Sequence, residues 1–325
     1  KSANVINLAF GEALKQTIER LQAEKDSIRG IIITSAKETF LAGADIDEMF
    51  RETDPKNLFD RAQRLKEAFR YLETQGKPVA AAVNGTALGG GFEIALASHY
   101  RVVIDNPKIQ LGLPEVTLGL LPGAGGVTRM VRLLGLQASL TYLTEGKKVD
   151  PKQALSDGLI HELAKDRDDL MAKARAWVMA RTSAKQPWDE SGFKIPGGAP
   201  NTPKVASVLP VAPAMLAKKT YNNYPAPLAI MSVAVEGGLV DFDTATRIES
   251  RYFAQLATGK VAKNMITAFW TQLNAINAGK SRPKVDVKGE FKKVGVLGAG
   301  MMGSAIAYCA AISGMDCVLK DVSDE

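Results

Sequence analysis

The stretch Ala87-Leu88-Gly89-Gly90-Gly91-Phe92-Glu93 constrains this chain more than any other. Before it runs Pro78-Val79-Ala80-Ala81-Ala82-Val83-Asn84-Gly85, which reads as a buried strand ending in a turn. After it runs Ile94-Ala95-Leu96-Ala97, which reads as a buried helix. Three glycines at a strand-to-helix junction leave their amides uncovered by any Cβ, open to close approach. The first N–H groups of a helix have no partner within it, and the positive end of the helix dipole stands behind them. Such a junction suits a developing negative charge, and Glu93 falls within the first turn.

Around this junction strands and helices alternate. Leu14, Ile18 and Leu21 have helical spacing, Ile28 to Thr34 reads as a strand, and Phe40 to Ile46 is a loop of small residues. Leu58, Ala62, Leu65, Phe69 and Leu72 mark an amphipathic helix. Short strands are expected at Arg101–Ile104 and Ile109–Leu111. A second glycine cluster, Leu121-Pro122-Gly123-Ala124-Gly125-Gly126, precedes a helix holding Met130, Leu133 and Leu134. Asp150-Pro151 opens another helix, with proline in its first turn. This alternation predicts a layered α/β core.

From about Gln186 to Pro213 prolines and glycines are dense, the composition of a linker; residues 214–280 read as mostly helical, with Asp241 as an N-cap. Then Lys293-Val294-Gly295-Val296-Leu297 runs into Gly298-Ala299-Gly300-Met301-Met302-Gly303 and a helix closed by Gly314. A second strand, Asp316 to Lys320, ends at Asp321. Strand, G-x-G-x-x-G, helix, strand and acid in this order predict dinucleotide binding, the acid holding a ribose hydroxyl.

Composition narrows the function. A net charge of +6 spread along 325 residues is not the clustered pattern of a nucleic-acid binder. Two cysteines, Cys309 and Cys317, exclude a disulfide framework and a multi-thiolate metal site. The two histidines, His99 and His161, adjoin no nucleophile motif, no G-x-S-x-G occurs, and no metal site is expected. No apolar run reaches the ~20 residues of a membrane span. The opening residues read as internal and no signal peptide is visible, so a piece of a longer protein is expected.

Two carboxylates remain to be explained. Glu93 follows the glycines on an apolar helix, and Glu115 follows Pro114 in an apolar stretch. Acidic residues in such places are seldom buried without a reason. A pair of acids beside an anion hole suits proton transfer next to a carbonyl.

These residues carry a resemblance. Phe40 to Ile46, Val83-Asn84-Gly85, Ala87 to Glu93, Gly112-Leu113-Pro114-Glu115, Leu121 to Gly126, and Ala154 with Gly158-Leu159 resemble the motifs of the crotonase (enoyl-CoA hydratase/isomerase) family. With the helical stretch, including Tyr224-Pro225-Ala226-Pro227 and Arg247-Ile248-Glu249, and the dinucleotide motif, the order resembles the multifunctional enzymes of fatty-acid β-oxidation. The resemblance implies a crotonase-like ββα superhelix over 1–185, a helical linker over 186–290, and the truncated start of a Rossmann NAD-binding domain over 291–325. It implies an acyl-CoA thioester substrate, the amides of Ala44 and Gly90 on the thioester oxygen, and Glu93 and Glu115 as acid and base. Gly123 would help orient the glutamate or water, and Ala42, Asp45 and Ile46 would border the CoA moiety. NAD would lie on Gly298, Gly300, Met302, Gly303 and Asp321. A thiolase partner and a homodimer are implied in the same way, in the cytoplasm of a bacterium or in a mitochondrion or peroxisome. The family's first strands and the dehydrogenase's catalytic histidine would lie outside this chain.

Having both glutamates favours hydration of a 2-trans-enoyl-CoA. The alternatives are a Δ3-Δ2-enoyl-CoA isomerase and a non-catalytic acyl-CoA-binding subunit.

Overall fold

In the computed structural model, which describes residues 3–283 and 289–322, two compact units divide the chain, at Asn274/Ala275. The first unit opens with α1 (Leu8–Ala23), whose Asn7 side chain accepts the Phe10 amide at 2.9 Å. Then come β1 (Ile31–Ile33), α2 (Ile46–Arg51) and α3 (Pro55–Thr74). β2 (Val79–Val83), β3 (Ala87–Leu88) and α4 (Gly90–Leu96) carry the triple glycine. β4 (Tyr100–Ile104) and β5 (Leu111–Gly112) follow, and a 3-10 turn at Glu115–Leu118 leads to α5 (Gly126–Leu134). α6 (Leu136–Glu145), β6 (Lys148–Val149), α7 (Pro151–Ser156), β7 (Glu162–Ala164) and α8 (Arg167–Met179) come next.

The strands of the first unit fall into two sheets, between which the chain passes back and forth. One sheet is parallel, in the order β1-β2-β4-β7; the other has the order β3-β5-β6. Strand β2 therefore hands the chain to β3 through the Asn84–Thr86 turn, and β4 hands it to β5 in the same way. Repeating strand, strand and helix winds the chain into a superhelix, so the crotonase-like α/β expectation holds. Strand β2 explains the alanine-rich sequence. Ala80 and Ala82 face a cluster with Leu170, Ala174 and Val178 of α8, while Ala81 and Val83 face the main core. A strand covered on both faces has no polar side and needs small residues where helices press close.

The first unit continues past the boundary expected at about residue 185. After α9 (Pro203–Ala206) and α10 (Ala212–Thr220), α11 (Pro225–Gly237) and α12 (Phe242–Thr258) bury Ile230, Val233 and Ala234, and Ala245, Thr246 and Glu249. Part of the expected linker is thus packed core. Asp241 caps α12, accepting the Thr244 amide at 2.9 Å. Helix α13 (Lys260–Ile266) follows, and a wider π-type segment, Thr267–Gln272, leads into α14 (Leu273–Asn277).

In the second unit β8 (Lys293–Leu297) pairs in parallel with β9 (Asp316–Lys320), and α15 (Met301–Ile312) connects them. No helix among the described residues is long and apolar enough to cross a membrane.

Candidate active site

Two backbone turns meet at the triple glycine. Residues 42–45 run beside residues 4–6: Ala42 N–H donates to Asn4 O (2.9 Å), Ile6 N–H to Gly43 O (2.8 Å), and Asp45 N–H to Ile6 O (2.8 Å). In a parallel pairing only alternate residues point at the partner, which leaves the Ala44 N–H directed away from residues 4–6. On the other side of this turn lies Gly89, where an added Cβ would sit 3.6 Å from Gly43 Cα. Among the described residues neither Ala44 N–H nor Gly90 N–H has a hydrogen-bond acceptor. The structure therefore brings the two expected amides to neighbouring turns, each lacking a partner.

Both acids reach the same turns. A Cβ on Gly89 would meet Glu115 Oε1 at 2.9 Å, and one on Gly90 would have Glu93 Oε2 at 3.8 Å. Glu93 is 2% exposed, and its Oε1 accepts the amides of Ala124 and Gly126, both at 2.7 Å. Its Oε2 has no hydrogen-bond partner among the described residues. The donors differ from the expected Gly123, whose missing Cβ faces the Phe253 ring, and α5 begins only at Gly126. Glu115 Oε2 is buried with no hydrogen-bond partner among the described residues. A buried carboxyl oxygen left unpaired is costly, and a ligand, a water or a reaction that uses the atom offsets that cost.

The environment separates the two acids electrically. Burial first, and then the negative charge of Glu249, push the Glu93 carboxyl up to about 7, against the pull of the Ala124 and Gly126 amides and of Lys66. Glu115 is raised well above the ordinary carboxylate range, by burial first and then by the charge on Glu93. Glu93, with two amides on one oxygen, is the easier of the two to ionise. Glu115, where only its own backbone amide opposes burial, has the raised affinity for a proton.

Two further residues stand at the site: Glu249, which the sequence marks only within the Arg247-Ile248-Glu249 resemblance of the helical stretch, and Lys66, which it does not mark. Glu249 lies on α12, is fully buried, and accepts the amides of Gly125 (2.7 Å) and Thr128 (3.0 Å) and the Thr128 hydroxyl (3.0 Å). Lys66 of α3 stands 3.0 Å from it. A signal was present: Lys66 falls on the stripe Leu58, Ala62, Phe69, and Glu249 on the stripe Phe242, Ala245, Leu256, where apolar residues belong.

The residues expected to border CoA lie at the edge of this site. Ala42 and Ala44 are exposed, while Leu41 and Gly43 between and before them are buried. Asp45 caps α2, its side chain accepting the Glu48 amide at 3.3 Å, and Ile46 is the first residue of that helix.

In the second unit the expected dinucleotide residues form one turn. Gly298 takes φ +96°, and its amide donates to Lys320 O at 2.7 Å. Gly300 caps α15 with open space where a side chain would be. A Cβ on Gly303 would lie 1.6 Å from Gly298 O, so only glycine lets the helix approach the turn. Met302 is exposed in the first turn, and Asp321 accepts the amides of Ala299 and Val322. This open turn at a helix start fits a pyrophosphate.

Comparison with known proteins agrees with both halves. Residues 1–188 match the enoyl-CoA hydratase/isomerase family, and residues 293–325 match the NAD-binding domain of 3-hydroxyacyl-CoA dehydrogenase. The whole chain is 33% identical to the fatty acid oxidation complex subunit alpha of Shewanella halifaxensis, covering 45% of it, and 33% identical to that of Shewanella loihica, covering 46%. The chain thus spans about half the length of these curated relatives. Among solved structures, human mitochondrial Δ3-Δ2-enoyl-CoA isomerase shares the fold, with a TM-score of 0.58 and 22% identity over 84% of this chain and 90% of that one. An enoyl-CoA hydratase of Geobacillus kaustophilus does so at a TM-score of 0.51 and 24% identity, over 84% and 88%.

Proposed function

The chain belongs to the enoyl-CoA hydratase/isomerase family, and on that premise we propose that it adds water across the double bond of a 2-trans-enoyl-CoA thioester to give the 3-hydroxyacyl-CoA. Attack of water at C3 moves electrons toward the thioester, and its oxygen gains charge as an enolate. The Ala44 and Gly90 amides receive that charge. Each costs nothing to reorient, because its turn is already held, and one such donor is typically worth ~10²–10³ in rate.

Glu93 is the base. Its Oε1 is occupied by Ala124 and Gly126, so Oε2 takes the proton from water. Glu115 is the acid. Its raised affinity for a proton keeps it protonated until the enolate forms, and it then protonates C2. Each such proton transfer contributes about 10²–10⁴. The observation that carries this reading is the asymmetry of two buried acids at one glycine turn: two amides on Glu93, and an unpaired oxygen on Glu115. Shifting a double bond needs only one group to remove and return a proton, whereas hydration uses a base for water and an acid for carbon.

Gly298, Gly300, Met302, Gly303 and Asp321 would hold NAD, which when bound would accept hydride from the 3-hydroxyacyl-CoA. The Gly300 turn would take the pyrophosphate, and Asp321 keeps lone pairs for a ribose hydroxyl. The similar relatives are named as subunits of a complex, which supports a partner subunit, and a thiolase would consume the oxidised product. Incubating the protein with 2-enoyl-CoA and, separately, 3-enoyl-CoA tests the reading. We expect the water adduct as the main product from the 2-enoyl substrate; double-bond migration without hydration would refute it.

A further inference from the structure

The loop Ala124–Thr128 is gripped from two sides. Amides 124 and 126 point to Glu93 of α4, while amides 125 and 128 point to Glu249 of α12. Glu249 Oε1 also faces Lys66 Nζ at 3.0 Å, and that ammonium donates to Thr246 O (2.9 Å) and Ser250 Oγ (2.8 Å), both on α12. The loop carbonyl of Ala124 accepts from Arg129 Nη1 at 2.9 Å, and Arg129 is paired with buried Glu73 of α3 at 2.7 Å. The loop therefore has almost no freedom of its own. Its amides can converge on Glu93 only because the alternate amides are satisfied behind it.

We propose that Glu249, paired with Lys66, is a positioning residue for Glu93. It holds the loop from behind, so that the loop clamps Oε1 and leaves Oε2 to the substrate. Helix α12 lies beyond residue 188, where the family match ends, so the helical stretch completes the active site. The inference rests on the reading of Glu93 as the base. The charged groups facing Glu93 are Glu115 from the 3-10 turn, Glu249 from α12 and Lys66 from α3, with Arg129 of α5 and Glu73 of α3 behind them. Of these, the negative charge of Glu249 acts on Glu93 more strongly than the opposing charge of Lys66. Glu249 thus sets both where Glu93 points and how readily it gives up its proton.

The test is the pH profile of kcat/KM for 2-enoyl-CoA hydration, measured alongside thermal melts on the full chain. In Glu249→Gln the loop loses an anionic acceptor and Glu93 loses a like charge. The plateau should fall on the order of 10–100-fold, as for a misplaced catalytic group. The acidic limb should move down by about one pH unit, as expected on removing a nearby like charge. Glu249→Asp keeps the charge, so its limb should stay at the wild-type pH while the plateau falls. The double variant Lys66→Met/Glu249→Gln removes a buried pair together, which is often close to neutral for stability; its limb should also move down.

A purely structural role would lower the plateau and leave every limb in place, and that result overturns the proposal. So would a plateau within twofold of wild type in Glu249→Gln, or failure of all three variants to fold. The underlying reading fails separately, if Glu93→Gln hydrates at the wild-type rate.

Discussion

The two glycine-rich turns use the space of a missing side chain in opposite ways. At the first, the protein fills it. A Cβ on Gly90 would lie 2.3 Å from Ile6 Cδ1, and one on Gly91 would lie 2.0 Å from Leu41 O. At the second, only Gly303 is filled, while Gly298 and Gly300 have no atom within 4 Å of the added carbon. The first turn is an internal joint, whose amides are fixed beside acids the protein supplies. The second is an open cradle, whose backbone is kept bare for a ligand. Glycine content alone does not separate these roles; what packs against each glycine does.

The sharpest contrast comes from adding one methyl group to each. Gly91→Ala drives a carbon into a backbone carbonyl that cannot move aside, beyond the about 1–3 kcal/mol of ordinary overpacking. We expect the first unit to lose its cooperative melt and all hydration activity. Gly300→Ala should leave the melt of the protein unchanged and weaken NAD binding by the full-length protein by at least about tenfold, roughly the 1.4 kcal/mol of a blocked approach. Equal damage to folding from both substitutions would break the comparison.

A smaller effect concerns stability against pH. Glu93 and Glu115 bind protons more tightly folded than unfolded. The folded state therefore holds extra protons once pH exceeds the unfolded value of about 4.3, and stability falls as pH rises from there through about 7. Glu115→Gln removes its share of that loss. Its Tm should exceed wild type by a few degrees at pH 8, with the gap closing near pH 4, where both carboxyls are protonated in either state. A constant gap across this range would show that Glu115 ionises as freely as a surface acid. The first turn would then resemble the second in being open to water.

Much of this arrangement is legible in the sequence, for physical reasons. The buried strand Val79–Val83, the amphipathic α3, the proline-led helix start at Asp150-Pro151 and the cap at Asp241 follow from local patterns and appear where expected. Strands of two residues, such as β5, are too short to show a period, and the expected Ile109–Leu111 is shifted to Leu111–Gly112. The second support of the loop could not be read locally, because it joins residues far apart. Lys66 Nζ meets Ser250 Oγ across 184 positions. Proline and glycine between Gln186 and Pro213 suggest a loose connection, yet the helices beyond bury their apolar faces in the first unit. Glu249 interrupts one of those faces with charge, as Lys66 interrupts the apolar stripe of α3, and these interruptions are the trace of the site the two help to build.

The most direct test follows loss of the enoyl absorbance of crotonyl-CoA with wild type, Glu93→Gln and Glu115→Gln, each checked for an intact melt. If the two acids transfer protons on either side of an enolate held by Ala44 and Gly90, wild type consumes the substrate and each variant slows by about 10²–10⁴. If either folded variant keeps wild-type activity within a few fold, the proton transfer does not run through this pair.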